Sequence, residues 1–350
     1  MGKGTQFMDQ SADVIAAAIK GSLKIIEQDR EKEIVSRRFG LKGSKETLEQ
    51  IGDMLSITRE RVRQLEKAIL IRLRVCSEEG EIPELAAAEK IIIRNLTEMG
   101  RVAKIDALAD KIYGRRTTPA ERAGLAFLGN ISANLSVIDE NDNYFSAIGI
   151  AEYGDADKIK KSADEIVSLI KKNKKPMSID ELDNSLNYEH PSHIEAIASV
   201  SKQLASLNGL WGLAKWPTVN PKNIRDKIFV VLESKKEPMH FADIAAAIAE
   251  SDFKRKNVTI QAIHNELIKD SRFVLIGRGI YALDSWGYKK GTVSDIITQI
   301  LQDSDKPLTR VEIVKQVLRS RKVKETTILL NLQNKALFKK VDKNSYTLAK

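Results

Sequence analysis

Arg59, Glu60, Arg63 and Gln64 lie in one short stretch, TRERVRQLEK, and each is a residue type that can read the edge of a base pair. Arginine can clasp guanine O6 and N7, glutamine can pair with adenine, and glutamate can accept from the amino group of cytosine. On a helix, positions i, i+1, i+4 and i+5 share a face, so the four side chains would project together. Val62, Leu65 and Ile69 follow the i, i+3, i+7 spacing of an opposite, inward face. The chemistry implied is base readout in a duplex groove, and it requires a scaffold that delivers the start of this helix into that groove. The flanking residues supply one. Thr47-x-x-Gln50 is a capping box that opens a short helix through Leu55. Ser56-Ile57 then makes a tight turn, and Thr58 can cap a longer helix to about Arg74. Two helices joined by so short a turn predict a helix-turn-helix with the second as recognition helix.

The stretch 30–74 resembles region 4 of bacterial sigma-70-type sigma factors, the domain that reads the −35 promoter element. The resemblance is carried by Arg38-Phe39-Gly40-Leu41, by Thr47-Leu48-Glu49-Gln50-Ile51-Gly52, and by Thr58-Arg59-Glu60-Arg61-Val62-Arg63-Gln64-Leu65-Glu66, followed by Leu70 and Leu73-Arg74. It implies base contacts from Arg59, Glu60, Arg63 and Gln64, phosphate contacts from Arg61 and Arg37, and docking on the flap of the RNA polymerase β subunit. A departure accompanies the match. Sigma factors place before region 4 a domain whose aromatic side chains capture unstacked bases. Here 29 residues precede Arg30, and Phe7 is their one aromatic. The expectation is a sigma-like DNA reader that does not melt a promoter by itself.

The rest of the chain carries a repeat. Ile166, Ile228 and Ile297 each lie ten residues before Pro176, Pro238 and Pro307; Ile170, Leu232 and Leu301 lie six before, and Leu182, Ile244 and Ile313 six after. A weaker copy has Ile92, Leu96, Val102 in the proline's place, and Leu108. Apolar residues four apart line one helix face, and proline stops the helix behind an extended residue. Ser178-x-x-Glu181 and Thr309-x-x-Glu312 then restart it as capping boxes, with His240-x-x-Asp243 a weaker start in the third copy. Each copy is expected to close on a hairpin: Val137-Ile138 to Tyr144-Phe145, Leu210-Trp211 to Trp216, Phe273-Val274 to Tyr281-Ala282-Leu283, and Phe338 to Tyr346-Thr347-Leu348. In the third hairpin Gly277 and Gly279 fall where a tight turn needs positive φ. Helix, extended turn, helix, helix, hairpin is the order of a winged helix.

The predicted fold class is therefore mainly α: a helix-turn-helix domain (1–78) followed by tandem winged helices with small β-hairpin wings (84–152, 156–217, 222–290 and 291–350). The third unit, over 222–288, resembles the HARE-HTH family, which includes the RNA polymerase delta subunit, through KEPMHFADIAAAI and DSRFVLIGRGIYALDSWGY. That resemblance implies DNA or polymerase binding without naming residues. Winged helices also serve as protein-interaction modules, so the fold alone assigns no function.

The net charge of +9 is unevenly placed: −1 over 1–29, +5 over 30–75, −4 over 76–149, −1 over 150–221, +4 over 222–290 and +6 over 291–350. Clustered cations favour a polyanion more than the same charge diluted over a surface. Lys254, Arg255 and Lys256 precede the third unit's expected recognition helix, Arg278 sits in its wing, Arg321 and Lys322 precede the fourth unit's recognition helix, and Lys339 and Lys340 lie on its wing. All are candidate phosphate contacts, and each cluster reads equally well as a solvated loop. The other chemistry is sparse. A single cysteine, Cys76, excludes a disulfide scaffold and a thiolate zinc site. His190-Pro-Ser-His193 lacks partners at ligand spacing, and no phosphate loop or nucleophile motif is evident, so no cofactor, metal or catalytic residue is expected. No apolar run approaches the roughly 18 residues of a membrane span, and Asp9 and Asp13 stand where a signal peptide would be apolar. The combined expectation is a cytoplasmic, nucleoid-associated transcription protein that binds double-stranded DNA and acts with RNA polymerase, with no membrane partner and the oligomeric state open. A polymerase-binding regulator acting by protein contacts, and a nucleoid- or restriction-associated DNA binder with no polymerase role, remain as alternatives.

Overall fold

A computed structural model describes residues 2–186, 188, 190–253, 257–304, 306–342 and 344–349, with side chains from residue 10 onward. Two helices, α1 (Gly2–Ile25) and α2 (Asp29–Phe39), lead into the helix-turn-helix pair α3 (Leu48–Leu55) and α4 (Arg59–Glu78). Four units of one pattern follow. The first comprises α5 (Pro83–Glu98), β1 (Val102–Lys104), α6 (Ile105–Tyr113), α7 (Pro119–Ile131), β2 (Leu135–Ile138) and β3 (Ala147–Ile150). The second comprises α8 (Ala156–Asn173), β4 (Met177–Ser178), α9 (Ile179–Leu186), α10 (Pro191–Val200), β5 (Leu204–Leu207) and β6 (Leu210–Leu213). The third comprises α11 (Ile224–Lys235), β7 (Met239–His240), α12 (Phe241–Glu250), α13 (Ile260–Lys269), β8 (Phe273–Gly277) and β9 (Ile280–Leu283). The fourth comprises α14 (Val293–Gln302), β10 (Leu308–Thr309), α15 (Arg310–Ser320), α16 (Glu325–Leu332), β11 (Phe338–Lys340) and β12 (Ser345–Leu348). In every unit the last strand lies between the other two and pairs antiparallel with both. That is winged-helix topology, four times over.

The repeat residues are the core of each unit. Ile92, Leu96 and Leu108, Ile166, Ile170 and Leu182, Ile228, Leu232 and Ile244, and Ile297, Leu301 and Ile313 are all buried. Burial of an aliphatic side chain contributes about 1.5–3 kcal/mol, so this pattern holds each first helix against its second. The helix starts follow local chemistry. Thr309 Oγ1 accepts from Glu312 N–H at 3.3 Å while Glu312 accepts from Thr309 N–H at 2.8 Å, and Ser178 and Glu181 form the same reciprocal pair. His240 Nδ1 accepts from Ala242 N–H at 3.3 Å, so the weaker start signal is still a cap.

Two hairpins differ from their expected positions. In the first unit the returning strand is Ala147–Ile150, buried along its whole length, and Tyr144-Phe145 lies outside it. Tyr144 instead bridges Ser201, Phe145 N–H donates to Val200 O at 2.9 Å, and the Tyr144 hydroxyl donates to Asp164 at 2.7 Å. In the second unit Leu210–Leu213 is the second strand of its hairpin, and the first is Leu204–Leu207. The turn between them is Asn208-Gly209, with φ of 51° and 76°, the pair that a two-residue turn of this hand prefers.

The chain divides into two compact units, Met1–Ala214 and Lys215–Lys350. Within the first, the helix-turn-helix and the first winged helix share one core. Ile15 and Ala18 of α1, Ile69 and Leu73 of α4, Ile92 and Leu96 of α5, Leu108 of α6, and Leu125, Phe127 and Leu128 of α7 form a single buried cluster. Phe39, at the end of α2, meets Phe127 edge to face at a centroid distance of 5.4 Å. The recognition helix thus rests on the winged helix behind it.

Candidate nucleic-acid interface

The α3–α4 pair is built from short-range signals. Gln50 N–H donates to Thr47 Oγ1 at 3.3 Å and Thr47 N–H donates to Gln50 Oε1 at 2.8 Å, which closes the capping box. The turn then passes so close to α3 that a Cβ on Gly52 would stand 2.7 Å from Ile57 O, a position only glycine tolerates. Thr58 Oγ1 accepts from Arg61 N–H at 3.2 Å and starts α4. Underneath, Ile34, Ile51 and Val62 are fully buried with Leu48, Leu55, Ile57 and Leu65 around them, which fixes the angle of α4 against α2 and α3.

Arg59, Glu60, Arg63 and Gln64 are all exposed on the first turns of α4, on the face away from Val62, Ile69 and Leu73. They are brought together as the spacing predicts, and they are ordered by one another. Arg63 donates to Glu60 through Nε at 2.9 Å and Nη2 at 2.7 Å, and Gln64 Nε2 donates to Glu60 Oε1 at 3.3 Å. Arg59 pairs with Glu49 of α3 at 2.8 Å. The hydrogen bonds from Arg63 are the main cause that holds the Glu60 carboxyl down at about 2, and Glu60 in turn raises the Arg63 guanidinium. Exposed pairs of this kind contribute little to stability and can be exchanged for base edges at small cost.

The remaining expected contacts fall in different places. Arg61 is exposed, 3.5 Å from Gln64 Oε1. Arg37 is half-buried and bonded to both Glu33 and Glu46, which raise its guanidinium. Arg278, Lys322, Lys339 and Lys340 are exposed. Arg321 is not: it is 6 % exposed, and its Nη1 donates to the Leu275 carbonyl. Burial pushes its guanidinium down, against a smaller upward pull from Asp295. Charge type alone places an arginine at the surface, and here a backbone carbonyl of the neighbouring module holds it inside. Lys254, Arg255 and Lys256 lie outside the described residues.

Three positioning residues carried no motif that marked their role. Arg38 donates to both carboxylate oxygens of Glu66 at 3.2 Å, tying α2 to α4, and Arg30 donates to Leu55 O at 2.9 Å, closing the end of α3. Glu66, one turn after Val62 and on its side of α4, was the available signal. Elsewhere, His190 caps α10 and His193 meets Gly100 O at 2.8 Å, so both rings have local structural partners. A hydrogen bond with Glu81 and burial push the Cys76 thiol up, away from nucleophilic character. Among the described residues no group of three or more His, Cys, Asp or Glu could hold a metal ion, and no helix is long and apolar enough to cross a membrane.

Residues 28–75 match the Sigma-70, region 4 family. The match covers α2, α3 and most of α4, the elements whose geometry is given above. Residues 224–286 match the HARE-HTH family, an ASXL and restriction endonuclease helix-turn-helix domain, which here spans α11 to the end of β9. A curated relative, RNA polymerase sigma factor SigA4 of Synechococcus elongatus, is 44% identical over 57 residues. That alignment covers 16% of this chain and 18% of the relative, so the likeness concerns one domain. Both matched families are DNA-binding helix-turn-helix domains, and the matches connect the chain to DNA binding and transcription.

Proposed function

We propose that this protein reads a −35-type promoter element in duplex DNA and works beside RNA polymerase, with the N-terminal end of α4 in the major groove. The division of labour along α4 carries this reading: its exposed start presents Arg59, Glu60, Arg63 and Gln64, while Ile69 and Leu73 are locked into the core. A base-reading constellation gains specificity when the element beneath it is rigid. Arg61 contacts phosphate beside the bases, and Arg278, Lys322, Lys339 and Lys340 supply sequence-independent phosphate contacts from the second compact unit. Arg37, engaged by Glu33 and Glu46, holds α2 in place. A polymerase contact by the region 4-like segment, at the flap or elsewhere, uses the faces of α2 and α3 left outside the shared core. Residence on the nucleoid follows from the same reading.

Genome-wide occupancy of the protein, compared with that of RNA polymerase, tests the proposal. The expected result is coincident occupancy at promoters that carry a common −35-like sequence. Occupancy that follows polymerase with no shared sequence would replace base readout by protein contact. Occupancy dispersed away from polymerase would remove the transcription partner.

A further inference from the structure

The third module's wing has an open side, and the fourth module fills it. Strand β8 is the outer strand of its sheet, which leaves carbonyls on that edge without a partner strand. The turn between α15 and α16 takes two of them: Lys322 N–H donates to Ile276 O at 2.9 Å and Arg321 Nη1 donates to Leu275 O. Between Leu275 and Gly277 the pairing of β8 with β9 shifts register, at the place where the turn arrives. The approach is so close that a Cβ on Gly277 would stand 2.5 Å from Lys322 O. Arg321 Nε is buried without a hydrogen-bond partner. A buried cation is costly unless well bonded, so Arg321 stays inside only where the two modules keep this one geometry.

The joint brings two sets of cations to one edge. Arg278 follows Gly277 at the hairpin tip, and Arg319, Lys322 and Lys324 surround the start of α16. All four are exposed, and none forms an ion pair among the described residues, whereas Arg37, Arg38, Arg59 and Arg63 each have an acidic partner. Glu325, the first residue of α16, faces Arg310 at 3.6 Å. Clustered and unneutralised charge at a hairpin tip and a helix start suits phosphates more than bases.

We infer that the third and fourth winged helices act as one phosphate-binding unit, in which Arg278, Arg319, Lys322 and Lys324 form a continuous ridge, joined through Arg321 and Gly277, that follows the backbone of duplex DNA. The inference rests on the DNA-binding reading above and assigns this task to residues remote in sequence from α4. Its test therefore leaves Arg63 intact. Binding of the full chain to a mixed-sequence duplex is measured over a range of salt concentrations. Each phosphate neutralised contributes about 0.9 to the slope of log Kobs against log salt. The quadruple variant R278A/R319A/K322A/K324A should show a slope shallower by about that amount for every phosphate no longer neutralised, with the preference for a selected site unchanged. Gly277→Ala and Arg321→Met open the joint while leaving the four ridge charges in place, and each should reproduce part of the slope reduction; a thermal melt confirms that both variants fold. A wild-type slope in the quadruple variant overturns the ridge. A slope reduction confined to the quadruple variant overturns its composite nature. A wild-type slope combined with failure to retain RNA polymerase reassigns the surface to a protein and also overturns the proposal. Wild-type protein that binds no duplex at all overturns the DNA-binding reading itself.

Discussion

Phe127→Ala probes the link between the winged helix and the DNA reader, because Phe127 belongs to the first and supports the second. The side chain is fully buried on α7 and lies edge to face with Phe39 of α2. Truncation removes its apolar packing and leaves a cavity bounded by both modules, a change that costs about 3–5 kcal/mol. Of this, roughly 0.5–1.5 kcal/mol belongs to the ring pair. In a folding unit of this size each kcal/mol lowers Tm by about 2–4 °C, so a fall of about 6–20 °C is expected for the unit Met1–Ala214. Calorimetry of the full chain reads that transition, and hydrogen exchange locates it. Amides of Ile69–Leu73 in α4 should lose protection together with those of Ile92–Leu96 in α5. Faster exchange in α5 to α7 with α4 unchanged would refute the reasoning, since α4 would then be held by α2 and α3 alone.

Two further outcomes follow from local chemistry. Thr58→Ala removes the cap on Arg61 N–H and should cost about 0.5–2 kcal/mol, read as a lower Tm, with Thr58→Ser restoring it. Hydrogen bonds from Arg115, then the cap contacts of Thr118, hold the Glu121 carboxyl at about 2 against an ordinary value of 4.5. A carboxyl depressed by folding adds stability that is fully present above the unfolded value and lost as pH falls through the folded one. The Tm of wild type should therefore exceed that of Glu121→Gln at neutral pH, and the gap should close between about pH 4.5 and 2. A gap independent of pH would place the effect in the cap geometry alone.

Much of the site was legible because it depends on neighbours in sequence. Thr47 with Gln50, Thr58 with Arg61, and the i, i+1, i+4, i+5 set on α4 are all contacts within one or two helical turns. The four winged helices were legible for a related reason: the residues around each proline repeat the same burial pattern. What escaped depends on distant partners. Helix α1 has an apolar face whose destination, the core around α5, α6 and α7, no local signal specifies. Tyr144-Phe145 has the aromatic character of a strand, yet it pairs with Val200 and Ser201 of the next module. Asn208-Gly209 marked the second hairpin, and the aromatic residues after it drew attention past that turn. Arg321 looked like its exposed basic neighbours because the carbonyl that keeps it inside belongs to the third module.

The central claim, base readout by the start of α4, is tested most directly by titrating wild type and Arg63→Ala against two duplexes, a selected site and its scrambled counterpart. A bidentate contact to a base edge contributes discrimination worth about ten- to hundredfold in affinity. The account predicts a loss of about that size on the selected site, a much smaller change on the scrambled one, and specificity relaxed at a single base position. An equal loss on both duplexes would contradict it, because Arg63 would then be serving only as a positive charge.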